Sequence, residues 1–321
     1  MIDLEYRKRL QKASYKLIGK NMHSAVKLCL WCKKSIKTGG KEVCYKQQFY
    51  GIKSHKCIQM TPSLPFCNLR CLHCWRDTTS AYENWKPTED SNIDSPEEII
   101  EESIKAQKNL LTGLGGVPHS EKFLKEAMTP NQVAISLEGE PMMYPYIDEL
   151  IAGYKKRNFS VFLVTNGTFP EKIKELKNLP DQLYVSLTSP NEKIFEKIQN
   201  PISKNLWNNI VNTLKFLPEI KTRKVIRLTL IRDLNNKNIE EYSELIKVSN
   251  VDFVEVKSYM SVGYSTKRLP YNSMLTFEEI KEFSEKLSKL LSWEIKDENM
   301  PSRVVLLKNP NGCELKIKNL S

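Results

Sequence analysis

The chain has 321 residues, with 49 Lys and Arg against 38 Asp and Glu, a formal net charge of +11. Hydrophobic residues make up 40% and charged residues 27%, proportions that exclude disordered and collagen-like classes. The opening residues Met1 to Lys8 form no apolar signal core, and no run of about 18 apolar residues occurs. The expectation is a cytoplasmic protein without membrane spans.

In chain order, residues 4–20 read as a basic amphipathic helix. Residues 1–60 hold 14 Lys/Arg and three acids, Asp3, Glu5 and Glu42, so the whole net excess falls there and the rest balances at 35 of each sign. Such a basic face suits a polyanion such as nucleic acid, or equally a solvated lysine-rich surface. From about 21 to 90 the chain reads as irregular, with Gly39-Gly40, Pro62, Pro65 and Pro87. Ser95-Pro96-Glu97-Glu98 then opens a helix with an N-cap, a proline at the first position and a capping box. Residues 109–131, with Gly113, Gly115, Gly116 and Pro118, read as a loop insertion. Strands are expected at Val133–Leu137, Val161–Val164, Leu183–Leu187, Val225–Ile231 and Phe253–Val256. Helical stretches separate them, as parallel strands require. Thr276 to Glu279 repeats the capping box ahead of a second helix. No strand is followed by Gly-x-Gly-x-x-Gly, so the dinucleotide-binding fingerprint is absent. The pattern is α/β, a barrel-like βα-repeat preceded by an extension.

Seven of the eight cysteines, Cys29, Cys32, Cys44, Cys57, Cys67, Cys71 and Cys74, fall within 46 residues, and Cys313 stands apart. Without a secretory signal, metal ligation explains them better than disulfides. Cys67-x3-Cys71-x2-Cys74 places three thiolates where they can hold three corners of a cubane iron–sulfur cluster, leaving one iron open. A zinc knuckle completed by His73 or another cysteine is the alternative.

This loop resembles that of the radical S-adenosylmethionine (SAM) superfamily, with His73 in the slot usually held by an aromatic residue. Gly139-Glu140-Pro141 after one strand, Thr165-Asn166-Gly167 after the next and Ser186 at the end of a third resemble its cofactor-binding positions. The segments His23–Cys29, Cys44-Tyr45-Lys46, Phe49–Ile52, Ser54–Pro62, Cys74–Asp77 and Ser136–Pro141 resemble the tRNA 4-demethylwyosine synthases more closely, in their stand-alone archaeal form. The resemblance implies a partial TIM-like (β/α)6 barrel over 61–300, an N-terminal extension over 1–60 carrying a second set of cysteines, and a C-terminal segment, 301–321, packed on the barrel. It implies a lyase-class enzyme that condenses N1-methylguanosine, 3′ of the anticodon of a phenylalanine-type tRNA, with pyruvate-derived carbons. An external electron donor is required. Cys67, Cys71 and Cys74 are expected to hold one 4Fe-4S cluster, and Cys44 and Cys57 a second, its third ligand being Cys29 or Cys32; Cys29 is the choice because it closes the Ala-Val-Lys-Leu-Cys segment, which leaves Cys32 as a small buried hydrophobe. Glu140, Asn166 and Ser186 are expected on SAM. Lys46 is the candidate catalytic residue, as a Schiff-base amine or a phosphate contact; Lys257 is a weaker candidate for a substrate contact, and Arg76 for contact with a cluster or phosphate. The rival readings are another radical SAM enzyme with an auxiliary cluster, acting on a peptide or small molecule, and a zinc-stabilised RNA-binding protein.

Overall fold

A computed structural model of the chain describes residues 4–78 and 93–317, so Pro87 and the last four residues of the expected C-terminal segment lie outside the described residues. Its frame is one ten-stranded sheet in the order β1-β2-β3-β4-β5-β6-β7-β8-β10-β9. Six strands run parallel in sequence order: β3 (Cys57–Thr61), β4 (Gln132–Ile135), β5 (Ser160–Thr165), β6 (Gln182–Ser186), β7 (Arg223–Leu230) and β8 (Phe253–Ser258). Five of these match the strands read from apolar runs. The sixth, β3, lies in the stretch read as irregular, which also holds β2 (Ser24–Val26), α2 (Leu30–Lys37) and α3 (Tyr45–Tyr50).

The extension is woven into the sheet rather than appended to it. The basic helix stops early: α1 spans Leu4–Lys12, and Ser14 at φ +63° turns the chain into β1 (Lys16–Ile18). β1 and β2 pair antiparallel on the outer edge of β3, and β3 itself crosses residue 60. At the other edge β10 (Val304–Lys308) and β9 (Glu294–Asn299) add antiparallel to β8. The residues read as a loop insertion contain the end of α4 (Pro96–Thr112) and α5 (Glu121–Ala127). Ser95 caps α4 by accepting from the Glu98 N–H, while the Glu98 carboxylate accepts from the Lys20 N–H at 3.3 Å. Thr276 and Glu279 form the full reciprocal box at the start of the helix Phe277–Leu291.

Each strand sorts its side chains by the two-residue period of an extended chain. Ile58, Met60, Val133, Ile135, Val161, Leu163, Leu183, Val185, Ile226, Leu228, Val254 and Val256 face the helical layer and make the main core. The alternate residues Ala134, Phe162, Tyr184, Val225 and Phe253 face inward, against Tyr45, Phe49 and Tyr50 of α3. The concave face of the barrel is thus plugged by a helix from the N-terminal region. Leu315 and Ile317 of the C-terminal segment pack on the same cluster. Among the described residues no helix is long and apolar enough to cross a membrane.

Candidate active site at the mouth of the barrel

Six parallel strands present their C-terminal ends at one mouth, where a βα barrel assembles its site. The chain leaves β3 at Thr61 and reaches Cys67, Cys71 and Cys74 in the following loop. These line a cavity of ≈ 160 Å³ together with Ser136, Glu138 and Gly139, which follow β4. The loop is pinned from a distant segment. Arg268 donates through Nε to the Leu72 carbonyl at 3.2 Å, through Nη2 to the Cys74 and Arg76 carbonyls, and through Nη1 to Thr78. The Tyr264 N–H donates to the Trp75 carbonyl at 3.0 Å. Gly263, at φ +59°, brings its backbone so close that a Cβ there would meet the Trp75 carbonyl oxygen at 2.4 Å.

The turn after β4 carries two acids with different surroundings. Glu140 is buried, and its oxygens accept from the Met142 N–H at 3.1 Å, the Thr165 hydroxyl at 2.6 Å and the Asn166 N–H at 2.7 Å. Burial nevertheless outweighs these donors and pushes its carboxyl up to about 7. Glu138 is buried as well but lines the cysteine cavity. Gly139, between them, has φ +71°, and a Cβ there would lie 2.3 Å from the Ser63 carbonyl oxygen, so only glycine fits. Asn166 donates to Asn68 Oδ1 at 2.9 Å, tying the end of β5 to the cysteine loop. Ser186 ends β6 two residues after inward-facing Tyr184, on the same face of the strand.

Burial pushes all three thiols of the loop up, Cys67 to about 12, Cys74 to about 11 and Cys71 well above its ordinary range. Cys71 is pushed further by Cys74 and Cys67. Burial and Arg268 lower His73 to about 4, and its Nδ1 is buried without a partner. Among the described residues no three His, Cys, Asp or Glu side chains close on a single metal ion. A cubane is wider than an ion, and three thiols around a cavity of this size suit the cluster that the resemblance implies.

The second set of cysteines gathers at the opposite end of β3. Cys29 immediately precedes α2 and Cys44 immediately precedes α3, each in extended conformation at the N-cap, and Cys57 opens β3. After burial, Cys29 is the largest influence raising Cys44, to about 11, and Cys57, to about 12. Cys32 differs from these: it is 1% exposed, packed with Leu28, Ile36 and Leu111, and donates its S–H to the His55 carbonyl at 3.6 Å. Cys313 sits away from both sets, 3.2 Å from Arg223 Nη1.

The inward face also holds a buried cluster of charged residues that the apolar runs did not reveal. Glu255, fully buried on β8, accepts from the Tyr45 and Tyr50 hydroxyls and from Arg227 Nε, each at 2.9 Å. Burial raises its carboxyl, but Arg227, Lys46 and the Tyr45 hydroxyl together win and hold it below the ordinary value. Lys46 reaches from α3 to lie 4.3 Å over the Tyr184 ring and 5.3 Å over Phe162; burial and then Arg227 lower its ammonium. Lys257 lies 5.7 Å over Tyr45, with its ammonium brought to about 8 by burial and then Arg227.

Comparison with known proteins follows this geometry closely. The Radical SAM superfamily profile matches residues 61–246, and a profile for wyosine base formation matches 248–309. The chain is 45% identical over 303 residues to the S-adenosyl-L-methionine-dependent tRNA 4-demethylwyosine synthase of Pyrococcus horikoshii, covering 92% of this chain and 86% of that one. It is 38% identical to the Mus musculus protein of the same name, over 96% of this chain but 42% of that longer one. A solved structure described as TYW1 with a lysine-pyruvate adduct bound superposes with a TM-score of 0.86 at 39% identity, covering 99% of this chain and 98% of the other. The segment that clamps the cysteine loop, residues 263–268, falls within the wyosine-formation match, so the two matched regions build one site. The chain therefore belongs to the tRNA 4-demethylwyosine synthase family of the Radical SAM superfamily.

Proposed function

We propose that this chain converts N1-methylguanosine, 3′ of the anticodon in a phenylalanine-type tRNA, to 4-demethylwyosine by adding pyruvate-derived carbons. A cytoplasmic location and an external electron donor go with that reading. The observation that carries it is a buried lysine on aromatic rings, Lys46, in a cluster of charges on the inner face of the barrel. When bound, a 4Fe-4S cluster on Cys67, Cys71 and Cys74 together with SAM supplies one-electron chemistry that removes a hydrogen atom from an unactivated C–H. The chain supplies the rest. Asn166 and Ser186 stand at the mouth to orient the cofactor, and the turn held by Glu140 fixes the wall beside them.

In this reading Lys46 attacks the keto carbon of pyruvate and, with loss of water, forms a Schiff base that holds the co-substrate. Three cations, Lys46, Arg227 and Lys257, share one acid, Glu255, and that excess suits the pyruvate carboxylate. The adduct named for the related structure supports a lysine in this role. Cys29, Cys44 and Cys57 are proposed to hold a second 4Fe-4S cluster at the far end, Cys32 being occupied with its own hydrophobic neighbours.

Two measurements test this. Anaerobically reconstituted enzyme, given N1-methylguanosine-containing tRNA, SAM, pyruvate and a reductant, is expected to yield the tricyclic base; no such product would overturn the reading. Borohydride trapping with labelled pyruvate is expected to mark Lys46 in the wild type and to leave Lys46→Arg unlabelled. Label on Lys257 instead would move the amine to that residue. Iron and sulfide are expected to fall by about half in a Cys44/Cys57 double variant, as the stoichiometry of separate Cys-ligated clusters requires. An unchanged content would remove the second cluster.

A further inference from the structure

A second cavity, of ≈ 110 Å³, shares a wall with the cysteine cavity but opens between other elements. Its remaining sides are Tyr6 and Leu10 of α1, Tyr15 before β1, Lys27 after β2 and Tyr264 after β8. Here the N-terminal extension meets the segment that clamps the cysteine loop. Lys27 is half-buried in this aromatic lining, with Nζ 4.8 Å from the Tyr15 ring centre and 5.4 Å from that of Trp75. Among the described residues its ammonium makes no hydrogen bond or ion pair. Burial and then Lys33 lower it, with Glu138 drawing the other way. A cation set on ring faces away from water is costly unless something supplies it with an acceptor. Both lips carry further charge: Arg9 pairs with Asp77 at 3.4 Å, its side chain 41% exposed, and Lys267 lies 4.8 Å over the Tyr264 ring.

We propose that this cavity takes an unpaired purine of the tRNA, the nucleotide next to the target, with the base among the tyrosine and tryptophan rings and its N7 edge accepting from Lys27. The inference rests on the proposed tRNA reaction for its ligand. A loop that gives up its target base to an active site leaves the neighbouring base without its stacking partner, and an aromatic pocket replaces that partner. Both purines present N7 as an acceptor, and every base has a face to lay on a ring. An apolar side chain would leave Lys27 unanswered, and a bare phosphate would leave the rings unused. The neighbour belongs here rather than the target because the reacting groups gather elsewhere. Lys46 lies on Phe162 and Tyr184, Asn166 follows β5 and Ser186 ends β6, whereas the described residues lining this cavity include none from β5 or β6 and no cysteine.

The test is equilibrium binding of the anaerobic, cluster-loaded full chain to tRNA containing N1-methylguanosine, at one salt concentration. Each neighbour of the target is replaced in turn by an abasic nucleotide. One of the two replacements is expected to weaken binding to the wild type by about tenfold, the scale of one base stacked on aromatic side chains. Tyr15→Leu is expected to bind intact tRNA as weakly as the wild type binds that abasic tRNA, with the abasic replacement then costing less than about twofold more. Tyr264→Leu repeats the comparison from the opposite wall and decides should circular dichroism show Tyr15→Leu unfolded. Lys27→Met is expected to erase the preference for a purine over a pyrimidine at that position. A merely structural role for the tyrosines would weaken intact and abasic tRNA alike; an abasic penalty that persists in both tyrosine variants would therefore overturn the pocket. So would the absence of a penalty at either neighbour in the wild type, or coupling confined to removal of the target base. Coupling without any tricyclic product would strike the proposed reaction and leave the pocket standing, and product without coupling would strike the pocket alone.

Discussion

Glu255 shows how a single carboxylate sets the character of the barrel's interior. It is fully buried, yet three donors and two neighbouring cations keep it ionised. Glu255→Gln would leave Arg227, Lys46 and Lys257 facing one another, and is expected to cost on the order of 3 kcal/mol, measured as a lower urea midpoint. Because folding lowers this carboxyl below its ordinary 4.5, its contribution is fully present above that pH and is lost as pH falls through the lowered value. The stability gap between wild type and variant is therefore expected to be flat from about pH 5 to 8 and to close in more acidic solution. A gap that instead shrank as pH rose would contradict the assigned charge. Charged residues at 227, 255 and 257 could be seen in the sequence, but an apolar run was the criterion for a buried strand. Their inward placement follows only from knowing that the concave face is filled by α3.

Among the elements, the cysteine loop depends on the segment after β8. Arg268→Lys removes the planar fork that reaches the Leu72, Cys74 and Arg76 carbonyls, and a single ammonium cannot span the three. The expected result is a cluster that is lost severalfold faster to an iron chelator, followed by bleaching of its visible absorbance, with the fold retained by circular dichroism. Equal bleaching rates would show that the loop holds itself. No sequence pattern announced this contact, since 192 to 196 residues separate the partners. The parallel strands β4 to β8 were legible because both faces of such strands are buried and their apolar runs stand out. Strand β3 was not: Cys57-Ile58-Gln59-Met60-Thr61 alternates with the period of a strand, but its cysteine drew it into the ligand-bearing loop. Strand β9, Glu294–Asn299, lies on an edge and carries charge rather than a hydrophobic run, as edge strands do.

Taken whole, the molecule concentrates its net charge in its N-terminal region. The excess of lysine and arginine in residues 1–60 lies on α1, α2 and the chain around β1 and β2, with Lys8, Arg9, Lys12, Lys16 and Lys20 exposed. Trp31, with Lys34 5.1 Å over its ring, and exposed Leu30 add apolar surface beside the cations. This face suits phosphate tracking on a folded RNA, and tRNA affinity is expected to fall steeply with salt. Replacing Lys8, Lys12 and Lys16 together by Gln is expected to make the log–log salt slope shallower by about 0.7 to 0.9 for each phosphate that is no longer neutralised. An unchanged slope would put the docking face elsewhere. Lys46 belongs to the same charge count but lies on rings of the barrel's inner face, a division that composition cannot make.

One thiol, Cys57, begins β3, and the loop bearing the other triad begins just past its end at Thr61. Strands stretch little, so these five residues act as a fixed-length strut of roughly 13 Å between the two sets of cysteines. Adding or deleting one residue in it would rotate every later side chain to the wrong face, turning Cys57 or Thr61 toward the helices. The spacing of the two sets is thus fixed by the strand itself and not by the loops at either end.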